Sequence, residues 1–265
     1  MSAHVHGMWS GPLIMAAATA ALLPPLATAI HDRGVMVLAS SILAAVVALM
    51  WQLAFERVRG RAHRWSWSAT AMVFAVLVPP DVPLWQQALA VSFGVVLGEQ
   101  VFGGWGRNFL SPAAVALAFL LFSFPAASAG PANMALAIAS AASGVALLAA
   151  GLISWRIVAG FAVAAAAVAL ASAGSLDATW ISSGHVVFAL VFLVCDPVAA
   201  ASTTAGRWAH GALAGGLVIL LGLAGTGPGS VNAAVFAALL ASLFAPLVDR
   251  IVIEVHVWRR NRRHG

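Results

Sequence analysis

The sequence predicts an all-α polytopic membrane protein: about ten transmembrane helices in two inverted five-helix repeats, with discontinuous helices among them. Three observations lead there. Hydrophobic residues make up 62% of the 265 and charged residues only 8%, and the mean hydropathy is +0.99. A soluble domain carries about a quarter charged residues. The apolar residues fall into runs of membrane-crossing length, broken by glycine, proline or charge. The 13 basic residues are all arginine, and they cluster in alternate breaks.

A hydrocarbon core takes about 20 helical residues to cross. The runs are 12–30, 34–55, 66–79, 83–102, 109–125, 133–153, 155–173, 183–199, 208–225 and 231–252. The first follows Met1–Gly11, which has histidines but no arginine or lysine. A secretory leader needs a positive start, so this segment is expected to stay as a helix although Ala27-Thr28-Ala29 mimics a cleavage site. The second ends in Arg57, Arg59, Arg61 and Arg64. The third is short and stops at Val78-Pro79-Pro80; the eighth stops at Cys195-Asp196-Pro197. The fourth and fifth flank a glycine-rich polar stretch, Phe102 to Ala113. In it Ser111-Pro112 reads as a cap and first helical residue. The whole reads as one integral membrane domain over 1–265, with approximate repeats 12–125 and 133–252 and a basic cytoplasmic tail 253–265.

Arginine tests the count. With the N-terminus cytoplasmic and the segments alternating, Arg57, Arg59, Arg61, Arg64, Arg107, Arg156 and Arg207 fall in cytoplasmic loops. Arg250, Arg259, Arg260, Arg262 and Arg263 fall at the cytoplasmic end of the last helix and beyond it. Only Arg33 falls outside, and the loops Pro125–Asn133, Gly174–Trp180 and Gly225–Ser230 carry no basic residue. The positive-inside rule produces this split. It places both termini in the cytoplasm.

The two broken segments invite a self-comparison. Gly94–Phe122 and Gly216–Phe244 share length and texture, with Gly103 opposite Gly225, Leu117 opposite Leu239 and Phe122 opposite Phe244. Two units of five helices each would lie upside down relative to one another. Inverted repeats with discontinuous helices place a site near the midplane, at their interface.

The residues expected at such an interface are Glu99, Gly103, Gly104, Asn108, Asp196, Thr203 and Thr204. Irregular backbone at membrane depth is tolerated only inside protein or along a cavity, which singles out the glycine stretch; a tight cytoplasmic turn with ordinary caps is the plainer alternative. Asp196 ends an uninterrupted apolar run, and a carboxylate there is at an interface, paired or functional. A structural ion pair of Glu99 or Asp196 with Arg107 or Arg207, or a cap by Asp196 on Pro197–Ser202, would serve equally. One cysteine excludes an intrachain disulfide and cysteine-based zinc or iron–sulfur sites. No histidine pair has the spacing of a transmembrane haem or metal site, and the chain carries no phosphate-binding loop, nucleophile elbow or zinc signature. His185 and His210 bracket the Asp196 segment. Nothing points to nucleic acid; the partner that the composition implies is the bilayer.

The glycine stretch, Val78-Pro79-Pro80-Asp81-Val82-Pro83-Leu84-Trp85, and Cys195-Asp196-Pro197-Val198 through Thr203-Thr204-Ala205-Gly206-Arg207-Trp208 together resemble one family. It contains the membrane subunits NqrB, of the sodium-translocating NADH:quinone reductase, and RnfD, of the Rnf complex. The similarity covers roughly residues 35–250. It implies a ten-helix inverted-repeat fold similar to urea transporters, in a complex that moves electrons through flavins. The family carries FMN covalently on the threonine of a D-x-x-S-G-A-T sequence. The counterpart here is Ser140-Ala141-Ala142-Ser143-Gly144-Val145-Ala146, with serine for the aspartate and Ala146 for the threonine. Ser111 stands where asparagine is usual, and Glu99 where lysine is common. The resemblance therefore implies a scaffold subunit with no covalent FMN, with a non-covalent flavin, quinone or ion site open to it. A channel or transporter using the cavity between the repeats is the rival reading.

Overall fold

The computed structural model describes residues 11–60, 65–125, 133–173, 183–227 and 229–264. His4, His6, His63, Arg61, Arg64 and most of the two loops expected at 125–133 and 174–180 lie outside them. The described residues form ten helices. They are α1 Gly11–Arg33, α2 Val35–Arg59, α3 Ser66–Leu77, α4 Leu84–Val95 and α5 Pro112–Ser123, then α6 Met134–Ala149, α7 Trp155–Ala173, α8 Gly184–Ala189, α9 Thr204–Leu221 and α10 Val231–His264. Three of them run on into a π-helical turn: α4 through Val96–Gln100, α8 through Leu190–Val194 and α9 through Gly222–Thr226.

Five spans are long and apolar enough to cross a membrane: Gly11–Arg33, Val35–Arg59, Trp155–Ser172, Thr204–Gly225 and Val231–Trp258. The shorter α3, α5, α6 and α8 are apolar too. This is a multi-pass membrane protein, and its outer surface agrees, with Ile42, Val46, Ile138 and Val163 each more than half exposed. Each segment expected from sequence has its helix. α10 continues past residue 252 to His264, because no glycine or proline after Pro246 interrupts it.

The packing has a recurring pattern. α1 packs on α3 and α6 on α8; α2 on α4 and α7 on α9; α3 on α5 and α8 on α10; α4 on α5 and α9 on α10. The first five helices meet the last five chiefly through α1 against α6 and α5 against α10. α7 and α9 approach until backbone touches backbone. A Cβ on Gly211 would lie 2.2 Å from the Ile157 carbonyl oxygen, one on Gly215 2.2 Å from that of Phe161, and one on Gly160 2.6 Å from that of Trp208. Small residues permit such approaches between membrane helices.

α3 stops after 12 residues because Pro79 and Pro80 follow. Its last carbonyls are taken by Arg33, which donates to the oxygens of Val78 at 2.8 Å, Val76 at 2.5 Å and Ala75 at 3.4 Å. The one arginine expected on the outer side thus caps the negative end of a half-length helix.

Candidate functional site

Two breaks in the helical structure follow a common plan. After the π turn of α4, Gly103, Gly104 and Gly106 adopt φ of 107°, 91° and 85°; within and just after that of α9, Gly225, Gly227 and Gly229 adopt 127°, 83° and 75°. L-residues with a Cβ rarely enter that region, so glycine is what lets the chain turn here. Ser111 then takes the cap position of α5 with Pro112 first in the helix, although its hydroxyl makes no capping bond. Ser230 opens α10, its Oγ accepting from the Ala233 amide at 3.2 Å. Asn108 holds the first break together: Oδ1 accepts from the Gly106 amide at 3.1 Å and Nδ2 donates to the Leu110 carbonyl at 2.7 Å.

Glu99 lies in the α4 π turn, 3% exposed. Its Oε1 accepts from Ser66 Oγ at 2.9 Å and from Gln100 Nε2 at 3.1 Å, and the Trp105 amide bonds the same carboxylate. Ser66 is also 3.2 Å from Gln52 Oε1, and Gln52 Nε2 donates to Glu56 Oε1 at 2.8 Å. A polar chain thus runs from Glu56 on α2, through Gln52 and Ser66, to the buried Glu99.

Asp196, half-buried, follows the π turn of α8. Its Oδ1 accepts from the amides of Val198 at 2.8 Å and Ala199 at 3.3 Å, so it caps the Pro197 turn, one of the alternatives open from sequence. Behind it, His210 of α9 places Nε2 3.0 Å from the Val194 carbonyl. Among the described residues neither Glu99 nor Asp196 has an arginine partner. Arg107 is exposed, and Arg207 Nε donates to the Ala201 carbonyl at 3.3 Å.

Glu99 and Asp196 line one cavity of about 90 Å³, with Ser66, Thr70, Asn108 and Ser111 among its walls. The first carboxylate comes from the first five helices, the second from the last five. Glu99 also lines a neighbouring cavity of about 180 Å³, with Gln52, Glu56, Arg59, Gly103, Gly104 and Arg107. It therefore stands in the wall between two chambers. Thr203 and Thr204 are elsewhere. Thr203 caps α9, accepting from the Gly206 amide and donating to Asp249 Oδ1 at 2.5 Å. Asp249 of α10 also takes the amides of Ser202 and Thr203 and the Ser202 hydroxyl, and Thr204 is exposed.

Sequence reasoning missed Ser66, Gln52, Glu56 and Asp249. The polar positions Gln52 and Glu56, one turn apart at the end of an apolar run, were the available signal for two of them. At the other end of α3 and α8 a cavity of about 540 Å³ is lined by Asp32, Arg33, Asn133 and His185 among others. An apolar groove of about 980 Å³ lies along α1, between Leu13, Thr19 and Leu23 and the tryptophans Trp65, Trp67 and Trp105.

The residues at the expected flavin position do not fit a phosphoester. Ala146, exposed on α6, has no hydroxyl, and Ser140 and Ser143 are 0% and 4% exposed. Gly144, next to Ser143, faces Val191, whose Cγ2 would be 2.9 Å from an added Cβ.

Fold and site together define a multi-pass membrane protein in which a buried and a half-buried carboxylate, one from each set of five helices, line one cavity. Comparison with known proteins gives the lineage: the chain belongs to the NQR2, RnfD, RnfE family, whose model matches residues 1–135 and 128–257. It is similar to the NqrB subunit of the Na(+)-translocating NADH-quinone reductase of Pseudomonas aeruginosa strain LESB58, 33% identical over 274 positions that cover 83% of this chain and 68% of that one. The proteins of the same name from Azotobacter vinelandii and Yersinia pestis are each 32% identical, with 83% and 67% covered. The 274 aligned positions outnumber the 265 residues of this chain, so the relative carries extra residues within the matched stretch.

Proposed function

We propose that this protein is an integral subunit of an electron-transport complex of the NADH-quinone-reductase type, lying in a bacterial inner membrane with both termini cytoplasmic. In this reading it is a scaffold without covalent FMN, and the Glu99–Asp196 cavity is its ion site. The observation that carries the ion site is one small cavity holding two carboxylates, one from each half of the chain, with hydroxyl and amide oxygens around them and, among the described residues, no arginine bonded to either. A buried anion such as Glu99 is costly unless paired with a cation or proton. The matching helix contacts of the two halves, and their matching sequence of π turn, positive-φ glycines and serine, support the inverted repeat. The apolar groove beside Trp105 gives a quinone or a non-covalent flavin a place to dock from the bilayer.

Purifying the complex through a tag on this chain tests the reading. Redox subunits are expected to accompany it. In proteoliposomes Glu99→Gln and Asp196→Asn are expected to weaken the dependence of turnover on the coupling cation. Two unit charges 4 Å apart at an effective dielectric of 20 attract by about 4 kcal/mol, and a third of that is about tenfold in affinity. Unchanged cation dependence in both variants overturns the ion site, and a chain that purifies without redox partners overturns the subunit reading. The 540 Å³ cavity at the opposite end of α3 and α8 favours the rival, a transporter. Solute flux by the isolated chain in liposomes would establish that instead.

A further inference from the structure

The end of α8 exchanges its hydrogen-bond partners. Val194 closes the π turn Leu190–Val194. In a continuing helix its carbonyl oxygen would accept from the amide of Val198, four residues on, or of Ala199, five residues on. Both amides go elsewhere: Asp196 Oδ1 takes Val198 at 2.8 Å and Ala199 at 3.3 Å. Pro197 has no amide hydrogen to offer. The Val194 oxygen therefore needs a donor from outside its own helix, and it meets His210 Nε2 at 3.0 Å.

A carbonyl oxygen only accepts, so the imidazole proton is on Nε2. The ring is 1% exposed, as is Val194, too deep for solvent to supply the donor instead. Its support is firm. The next residue, Gly211, is pressed on the backbone of α7, where a Cβ would lie 2.2 Å from the Ile157 oxygen.

The consequence reaches the cavity of about 90 Å³ that Asp196 and Glu99 both line. With Oδ1 bound to two amides, Asp196 Oδ2 has no hydrogen-bond partner among the described residues. A carboxylate held by one oxygen offers the other in a fixed direction. Take away the His210 donor and the Val194 carbonyl is buried and unpaired, which is costly. The two amides a helix would give it are the ones that hold Asp196. Carbonyl and carboxylate compete for them, and His210 decides the competition.

We propose that His210 is a positioning residue of the ion site. It satisfies the Val194 carbonyl, so that Val198 and Ala199 stay on Asp196 Oδ1 and Oδ2 stays available to the bound ion. This rests on the ion-site reading above.

The test uses the complex purified through this chain and reconstituted in proteoliposomes, with sodium varied at fixed pH. His210→Leu removes the donor, and His210→Gln puts an amide Nε2 near the place of the imidazole nitrogen. The sodium concentration that half-saturates turnover should rise at least about tenfold in His210→Leu and no more than about threefold in His210→Gln, with the saturated rate nearly constant. In an Asp196→Asn background His210→Leu should add less than about twofold. Nitrogen chemical shifts of the histidine-labelled, unmodified chain should show Nε2–H, the His210 signals being those lost in His210→Gln. Unchanged half-saturation in His210→Leu, an equal loss in Leu and Gln, an undiminished effect in the Asp196→Asn background, or an Nδ1–H tautomer overturns the positioning role. If His210→Leu does not accumulate in the membrane, the Nε2–H signal and the mild phenotype of His210→Gln are still required. Turnover that ignores sodium in the unmodified complex, or a sodium dependence unchanged by Asp196→Asn, defeats the ion-site reading itself.

Discussion

Gly215 and Gly216 are neighbours on α9, yet a methyl group added to each should have opposite effects. At Gly215 the new carbon would sit 2.2 Å from the Phe161 carbonyl oxygen, whereas at Gly216 the nearest atom, Val168 Cγ2, is 3.8 Å away. Ordinary contact begins near 3.4 Å, so Gly215→Ala forces α7 and α9 apart by about 1.2 Å. The obstacle is backbone and cannot rotate aside. Overpacking of this kind costs about 1–3 kcal/mol, set against a gain of up to about 1 kcal/mol from replacing a helical glycine. Gly215→Ala should therefore destabilise by about 1–2 kcal/mol, and Gly216→Ala should be neutral or slightly stabilising. Tryptophan fluorescence during thermal unfolding in detergent reads the difference. Near-ultraviolet circular dichroism adds a local probe, because Trp155 of α7 and Trp208 of α9 meet edge to face at 5.5 Å. Equal midpoints for the two variants, with an unchanged tryptophan signal, would refute the claim that α7 and α9 are held by backbone contact.

Two further outcomes bear on the reading of the chain. In a Cys195→Ser background, single cysteines at Asp81 and Glu254 should be labelled by a membrane-impermeant maleimide from opposite sides of the membrane, Glu254 from the cytoplasm; labelling of both from one side would defeat the proposed topology. Expressed beside an active flavin transferase, the chain should give no in-gel fluorescence and no mass increase of one FMN, because Ala146 offers no acceptor oxygen and Ser143 is buried on the helix; a fluorescent band would return it to the covalently flavinylated members of its family.

Much of the fold was legible because lipid imposes a simple grammar: apolar runs must be helical, and whatever interrupts them must be satisfied. Proline after Val78 and after Asp196 announced the two short helices, and Gly103 to Gly106 announced the first break. The three π turns were not legible, since no residue pattern distinguishes five-residue from four-residue bonding in Val96–Gln100. Nor was the role of Asp249, which lies 46 and 47 residues from the groups it binds. Gly94 and Gly216 matched as letters but differ in surroundings. A Cβ on Gly94 would be 2.5 Å from the Pro112 carbonyl oxygen, while Gly216 has room. Of the expected site, Glu99, Asn108 and Asp196 meet at one cavity, Gly103 and Gly104 line the adjoining one, and the two threonines serve α9 alone.

Arg33 is the exception to the arginine asymmetry of the sequence, and its three carbonyl partners give the reason it is there. A helix that stops after 12 residues leaves acceptors at its end that no further turn satisfies, and some donor has to travel to them. A guanidinium supplies several N–H groups on one rigid plane, so a single side chain can close the end of α3. The length of α3 and the identity of residue 33 are then one heritable unit. A lineage that replaced this arginine would have to lengthen α3, recruit another donor, or lose the outer wall of the 540 Å³ cavity.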